Sequence, residues 1–124
     1  MPTQVGIHID NILRVASMMV LDQQVSVSGQ ISEIDLPALV ADGVEILVCN
    51  RPDNESADQT AYDVIADAAK QHGMQVENIP FSGGQMQVEH ISDFVDLLDT
   101  GKRIHAYCRT GNRSSNLWNA AKQV

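Results

Sequence analysis

Four short strand-like runs, each separated from the next by a helical stripe, constrain this chain more than any other feature. QVSVSGQ (24–30) alternates and ends in a glycine turn, while 44–49, 74–79 and 103–108 are largely apolar. Between the first two runs, Ser32 reads as a helix N-cap with Asp35 at the third position, Leu36, Leu39 and Val40 as the apolar stripe, and Gly43 as the stop. Ala61, Val64, Ile65, Ala68 and Ala69 form a second stripe that ends at Gly73. Val88, Ile91, Phe94, Val95 and Leu98 form a third that ends at Gly101, and a last helix starts near Arg113. Strands alternating with helices imply right-handed crossovers and a mainly parallel sheet with helices on both faces. The expectation is a three-layer α/β fold, with residues 1–124 as one domain. In such sheets, sites lie at the carboxyl ends of the strands. Three loops meet there, after Cys49, Ile79 and Tyr107.

The last of these loops carries the chemistry. HAYCRTGNRSSNLW is an apolar strand, a cysteine, a glycine-bearing turn, an arginine and the first turns of a helix. Backbone N–H groups of Arg109, Thr110, Gly111 and Asn112 can turn inward, with Gly111 free to take a positive φ. The helix that follows points its positive end at the same place. Arg109 and Arg113 add cations; Ser114 and Ser115 add hydroxyls. A thiol so placed ionises readily and becomes a nucleophile. A cysteine at a strand end is commonly no more than a small buried hydrophobe. The combination of Cys, Gly, Arg and Ser at this spacing favours the nucleophile.

Net charge narrows the partner. At −8 the surface repels nucleic acid and anionic membranes. Of only eight basic residues, Lys102, Arg103 and Arg109 flank the cysteine loop and Arg113 closes it, a distribution suited to a small anionic substrate. MPTQVGIHID shows no basic segment followed by an apolar core, and no apolar run is long enough to span a bilayer. Together with only two cysteines, this points to a reducing, cytoplasmic setting. His8, His72, His90 and His105 are dispersed without ligand spacing, so neither a metal nor another cofactor is expected. His105, in the strand before the cysteine, reads as a packed or supporting residue.

SVSGQ, LVCNRPDNES and AYCRTGNRSSNLW together resemble the bacterial beta-lactamase hydrolase-like, phosphatase-like domain family, within the broad protein tyrosine and dual-specificity phosphatase fold. The resemblance runs from about Val25 to Trp118. It implies a cysteine loop that binds phosphate and a cysteinyl-phosphate intermediate. Carried over, Cys108 is the nucleophile, Arg113 the bidentate phosphate clamp, and Ser114 the hydroxyl that assists release of the intermediate.

Four residues separate Cys108 from Arg113 where the broad phosphatase fold has five, and CRTGNRS is similar to a rhodanese loop. Tyr107 stands where phosphatases usually have histidine. The loop PFSGGQM lacks the aspartate that serves dual-specificity phosphatases as general acid. Asp53, Glu55 and Asp58, after the strand ending at Cys49, and Glu89 are the remaining candidate acids. Asp, Asn and Ser are equally ordinary turn and cap residues, and Ser56 or Asp58 is expected to cap the next helix. Three readings stay open: a cysteine-dependent phosphatase acting on a phosphoester, a sulfurtransferase carrying a Cys108 persulfide from a sulfane-sulfur donor, and an oxyanion-binding module without turnover, which fits the short stretch after the cysteine-loop helix. The resemblance implies that the strand ending at Cys49 neighbours the one ending at Cys108, which makes Cys49 a candidate redox partner.

Overall fold

The computed structural model describes residue 15 and residues 18–124. The N-terminal stretch read for a secretion leader, with His8, lies outside them. Strands β1 (Met19–Val20), β2 (Val25–Ser28), β3 (Ile46–Cys49), β4 (Gln75–Asn78) and β5 (Ile104–Tyr107) form one sheet in the order β1-β2-β5-β3-β4. β1 runs antiparallel to β2, and every other pairing is parallel. Helices α1 (Leu36–Ala41), α2 (Tyr62–Gln71), α3 (Val88–Asp99) and α4 (Asn112–Lys122) cover it.

The three central strands, β2, β5 and β3, are buried along their whole length, as strands with helices on both sides must be. Val25, Val27, Ile46, Val48, Ile104 and Ala106 pack with Phe94 and Leu97 of α3 and Leu117 and Ala121 of α4. Leu47, Cys49 and Tyr107 pack on the other face with Leu36 and Leu39 of α1 and Ile65 and Ala69 of α2. The expected three-layer α/β architecture is present.

Details differ from the sequence expectation. Val40, Val64 and Val88 are 41%, 44% and 78% exposed, and Leu97 is buried instead. Val88 is the first residue of α3 and stands ahead of the turns that carry the buried Phe94 and Leu97. Ser32 does close a box with Asp35, its N–H donating to Asp35 Oδ2 at 2.9 Å, but the first turn is a 3₁₀ turn, Glu33–Asp35. Neither Ser56 nor Asp58 caps α2. The Tyr62 N–H donates to Asp53 Oδ1 at 2.9 Å, and Ser56 donates to Asp58. β1 was not evident from the sequence, and Met19, on this edge strand, is 58% exposed.

Candidate active site

β5 delivers Cys108 to the carboxyl edge of the sheet, and the chain then turns through Arg109–Gly111 into α4. Gly111 is the N-cap of α4, with φ +98° and ψ −14°. This left-handed conformation is costly for any residue with a Cβ. It aims the Gly111 N–H at Cys108 Sγ, 3.1 Å away. Burial raises the cost of ionising Cys108, but the Ser114 and Thr110 amides, the Ser114 hydroxyl and the Gly111 amide outweigh it, and the thiol lies below its ordinary range. The Ser114 hydroxyl has one proton, and Asn50 Oδ1, an acceptor only, takes it at 2.8 Å. Ser114 therefore acts on the sulfur chiefly through its backbone. Cys108 itself is fully shielded from solvent.

Arg113 is held by a second set of contacts. Its Nη1 and Nη2 donate to the two carboxylate oxygens of Glu55, each at 2.8 Å, and Nη1 also donates to the Phe81 carbonyl at 3.0 Å. One N–H of Nη2 and the Nε–H, along the other edge of the guanidinium, make no hydrogen bond of good geometry to the described residues, and the guanidinium lies close to the Cys108 thiol. That edge matches two oxygens of an oxyanion. Glu55 in turn accepts from Arg51 Nε at 3.0 Å. The Arg113 hydrogen bond and, behind it, Arg51 hold the Glu55 carboxyl down at about 2 despite its partial desolvation. Glu55 is thus an ionised anchor for Arg113. It has no proton to give near neutral pH.

The other candidate acids do not converge here. Asp53 is engaged at the start of α2, Asp58 with Ser56, and Glu89 is exposed on the first turn of α3. Lys102 and Arg103 sit at the opposite end of β5 from Cys108, where Arg103 pairs with Asp42 at 3.0 Å. The cations near the loop are Arg113, Arg109 and Arg51.

Arg51 was missed by sequence reasoning, as was Asn50. Both follow Cys49 at the carboxyl end of β3, and polar residues at that edge of a buried parallel sheet were the available signal. Arg51 is buried and also donates to Gln30 Oε1 at 3.0 Å and Ser56 Oγ at 3.2 Å. Asn50 is fully buried, and its Nδ2 donates to the Ile79 carbonyl at 2.9 Å. With its bond from Ser114, it ties β3, β4 and α4 together behind the loop.

β2 braces the loop from the other side. The Cys108 N–H donates to the Ser28 carbonyl at 3.3 Å, and the Gln30 N–H to the Arg109 carbonyl at 3.4 Å. Beneath lies His105, fully buried between Ser26 (2.7 Å to Nδ1) and Ser28 (2.8 Å to Nε2). The Ser28 hydroxyl donates to the Gly29 carbonyl at 2.9 Å, so its oxygen must accept from Nε2–H, and Ser26 donates to Nδ1. Burial lowers the His105 pKa to about 3, and the ring is neutral. It is the packed, supporting residue expected.

Cys49 is opposite Tyr107 in the β3–β5 register. Its Sγ donates to the Arg51 carbonyl at 3.2 Å, and burial pushes its thiol up. The Tyr107 hydroxyl is buried beside it and has no hydrogen-bond partner of good geometry among the described residues. Cys49 and Cys108 are both free. Strand alternation turns Cys49 toward α1 and α2, and it turns Cys108, one residue past Tyr107, the other way.

A cleft of about 470 Å³ opens against the outer side of the loop, lined by Phe81, Gly83, Gly84, Met86, Arg109, Thr110, Asn112, Arg113 and Asn116. It combines an apolar wall with two cations. No cluster of three or more His, Cys, Asp or Glu among the described residues could hold a metal ion. None of the described helices is long and apolar enough to cross a membrane.

The family described as beta-lactamase hydrolase-like protein, phosphatase-like domain, matches residues 17–124. A curated relative, the beta-lactamase hydrolase-like protein of Agrobacterium fabrum, is 27% identical over 99 residues, 79% of this chain. The chain spans 23% of that relative's length. Among solved structures, a candidate phosphatase of Neisseria meningitidis is similar at TM-score 0.76 and 28% identity, covering 84% of this chain and 75% of its own. Another, from Shewanella putrefaciens, has TM-score 0.78 and 24% identity, covering 92% and 75%. The fold expected from the sequence is also that of a structure named Tk-PTP, similar at TM-score 0.59 and 20% identity and covering 76% of this chain and 61% of its own.

Proposed function

The chain belongs to the beta-lactamase hydrolase-like, phosphatase-like domain family, and on that footing we propose that it is a cysteine-dependent phosphatase. The observation that carries this reading is the Arg113 guanidinium, clamped on one edge by Glu55 and open on the other, beside a thiol that the loop amides favour as thiolate. The open edge and the amides hold the non-bridging oxygens of a phosphoester. Cys108 Sγ attacks phosphorus; the P–S bond forms as the bond to the leaving oxygen breaks. Water then attacks the cysteinyl-phosphate, releasing inorganic phosphate and the thiolate. Ser114 assists that release by turning its hydroxyl from Asn50, to which it donates at rest, toward the departing sulfur.

One observation favours a second reading. Cys108 is fully shielded, with the Gly111 N–H closed onto its sulfur, so the short loop suits a single added atom better than a tetrahedral group. In sulfur transfer the thiolate takes the sulfane sulfur of a donor such as thiosulfate, sulfite leaves with the bonding electrons, and an acceptor thiolate or cyanide removes the sulfur from the persulfide. Turnover of an aryl phosphate and of thiosulfate with cyanide by one preparation, each with Cys108→Ser and Arg113→Lys, decides between them. Loss of aryl phosphate turnover in both variants is the expected result. Thiosulfate turnover alone overturns the phosphatase reading, and oxyanion binding without either turnover leaves a binding module.

A further inference from the structure

The wall against which a leaving group would stand has an unusual composition. None of the nine residues lining the cleft is an acid, histidine, lysine, cysteine or tyrosine. The nearest carboxylate to the clamp, Glu55, accepts three hydrogen bonds from Arg51 and Arg113 and is held ionised down to about pH 2. Asp53, Asp58 and Glu89 are committed or exposed elsewhere. His90 stacks on Phe81 at 5.0 Å between ring centroids, and its Nδ1 accepts from the Gln87 N–H; it does not line the cleft.

Resting on the phosphatase reading, we propose that the site acts on phosphoryl groups whose leaving group departs as a stable anion, and not on alkyl phosphates. An alkoxide is about as basic as hydroxide and needs a proton as it leaves. A phenolate (about 10), a phosphate (about 6) or a carboxylate (about 4) needs it progressively less. In the first step the Cys108 lone pair forms the P–S bond while the P–O electron pair stays on the leaving oxygen, with no proton moved. In the second, water supplies the oxygen and loses its proton to solvent. Positioned acids contribute about 10²–10⁴ in rate. Their absence among the described residues falls entirely on basic leaving groups. The apolar face of Phe81 and Met86 suits an aryl group among the permitted ones.

The test is kcat/KM for a series of substituted phenyl phosphates whose phenols span about three pKa units around and below 10, together with acetyl phosphate and a sugar phosphate. The expected result is a fall of about two to three orders of magnitude across the phenols, of the size an acid would otherwise supply, with acetyl phosphate turned over and the sugar phosphate not. A dependence flat to within about threefold, abolished by Cys108→Ser, overturns the inference while leaving a cysteine phosphatase, and directs attention to His90. No Cys108-dependent turnover of any member overturns the phosphatase reading itself, and the inference with it.

Discussion

Gly29→Ala tests whether β2 sets the shape of the cysteine loop. Gly29 is 79 residues from Cys108 in sequence and makes no contact that its own chemistry requires, yet a Cβ at this position comes within 2.8 Å of the Arg109 carbonyl oxygen, with Arg109 C and Thr110 Cα at 3.6 Å. Ordinary contact is about 3.5 Å or more, so the loop backbone must shift by roughly 0.7 Å. The obstacle is a peptide carbonyl that also accepts the Gln30 N–H, so no side chain can swing aside. Overpacking of this kind costs about 1–3 kcal/mol, or roughly 4–12 °C in Tm for a chain of this length. The larger effect is on the site. A misplacement of about 1 Å can cost a hundredfold in rate, and a displacement of roughly 0.7 Å of the Cys108 cradle predicts a loss of roughly 25-fold in kcat/KM. Slower alkylation of Cys108 at neutral pH should accompany it, because the Thr110 and Gly111 amides no longer converge on the sulfur. Gly83→Ala is the stability control: its Cβ meets nothing within 4 Å, and its Tm should change by the equivalent of less than about 0.5 kcal/mol. If Gly29→Ala melts and alkylates as wild type does, the brace from β2 is not what shapes the loop.

Glu55→Gln keeps the shape of the anchor but removes its charge, leaving Arg51 and Arg113 without their shared counter-ion. Hydrogen bonds to charged groups contribute about 1.5–3 kcal/mol, so kcat/KM should fall about 10- to 100-fold; an unchanged value shows that Phe81 alone positions Arg113. Because the folded pKa of Glu55 is depressed to about 2, its contribution to stability is full above the unfolded value near 4.3 and is lost only as pH falls toward 2. His105 follows the same sign: its folded pKa of about 3 lies below the unfolded 6.5, so stability is lost as pH drops below 6.5, with a slope approaching about 1.4 kcal/mol per pH unit. Urea titrations between pH 5 and 7.5 should show this slope in wild type and lose most of it in His105→Gln. Cys49 and Cys108, as diagonal neighbours on adjacent strands, lie about 6 Å apart, but their side chains leave opposite faces, so a bond requires the cysteine loop to move its backbone. Peroxide is expected to oxidise Cys108 to a sulfenic acid that Cys49 captures as a thiol-reversible disulfide with release of water; peptide maps showing only sulfinic acid at Cys108 leave Cys49 as packing.

The alternation of strands and helices was plain in the sequence because periodicity is local: burial on both faces demands apolar strands, and one buried face demands a 3.6-residue stripe. Cys108, Gly111, Arg113 and Ser114 were legible for a related reason. A loop that wraps an anion between a strand and a helix is made from consecutive residues, so its chemistry is written in one place. Exposure at Val40, Val64 and Val88 was not, because it depends on how far each helix reaches past the sheet it covers.

Glu55 shows where local reasoning ends. Its sequence neighbourhood supports an acid, a turn residue or a surface charge equally well. Only the crossing of the β3 loop over α4 brings it to Arg113, 58 residues away, and that contact changes it from a proton donor into an anion with none to donate. Arg51, Asn50, Gly29 and the Ser26–His105–Ser28 row obtain their roles in the same way, from strands paired in space rather than in sequence. The chain by itself determined that there is a sheet, where its edge lies and which cysteine stands there. Tertiary structure decided which charges meet at that edge, because pKa values and hydrogen-bond partners are set by distances of a few ångströms between segments that the sequence keeps far apart.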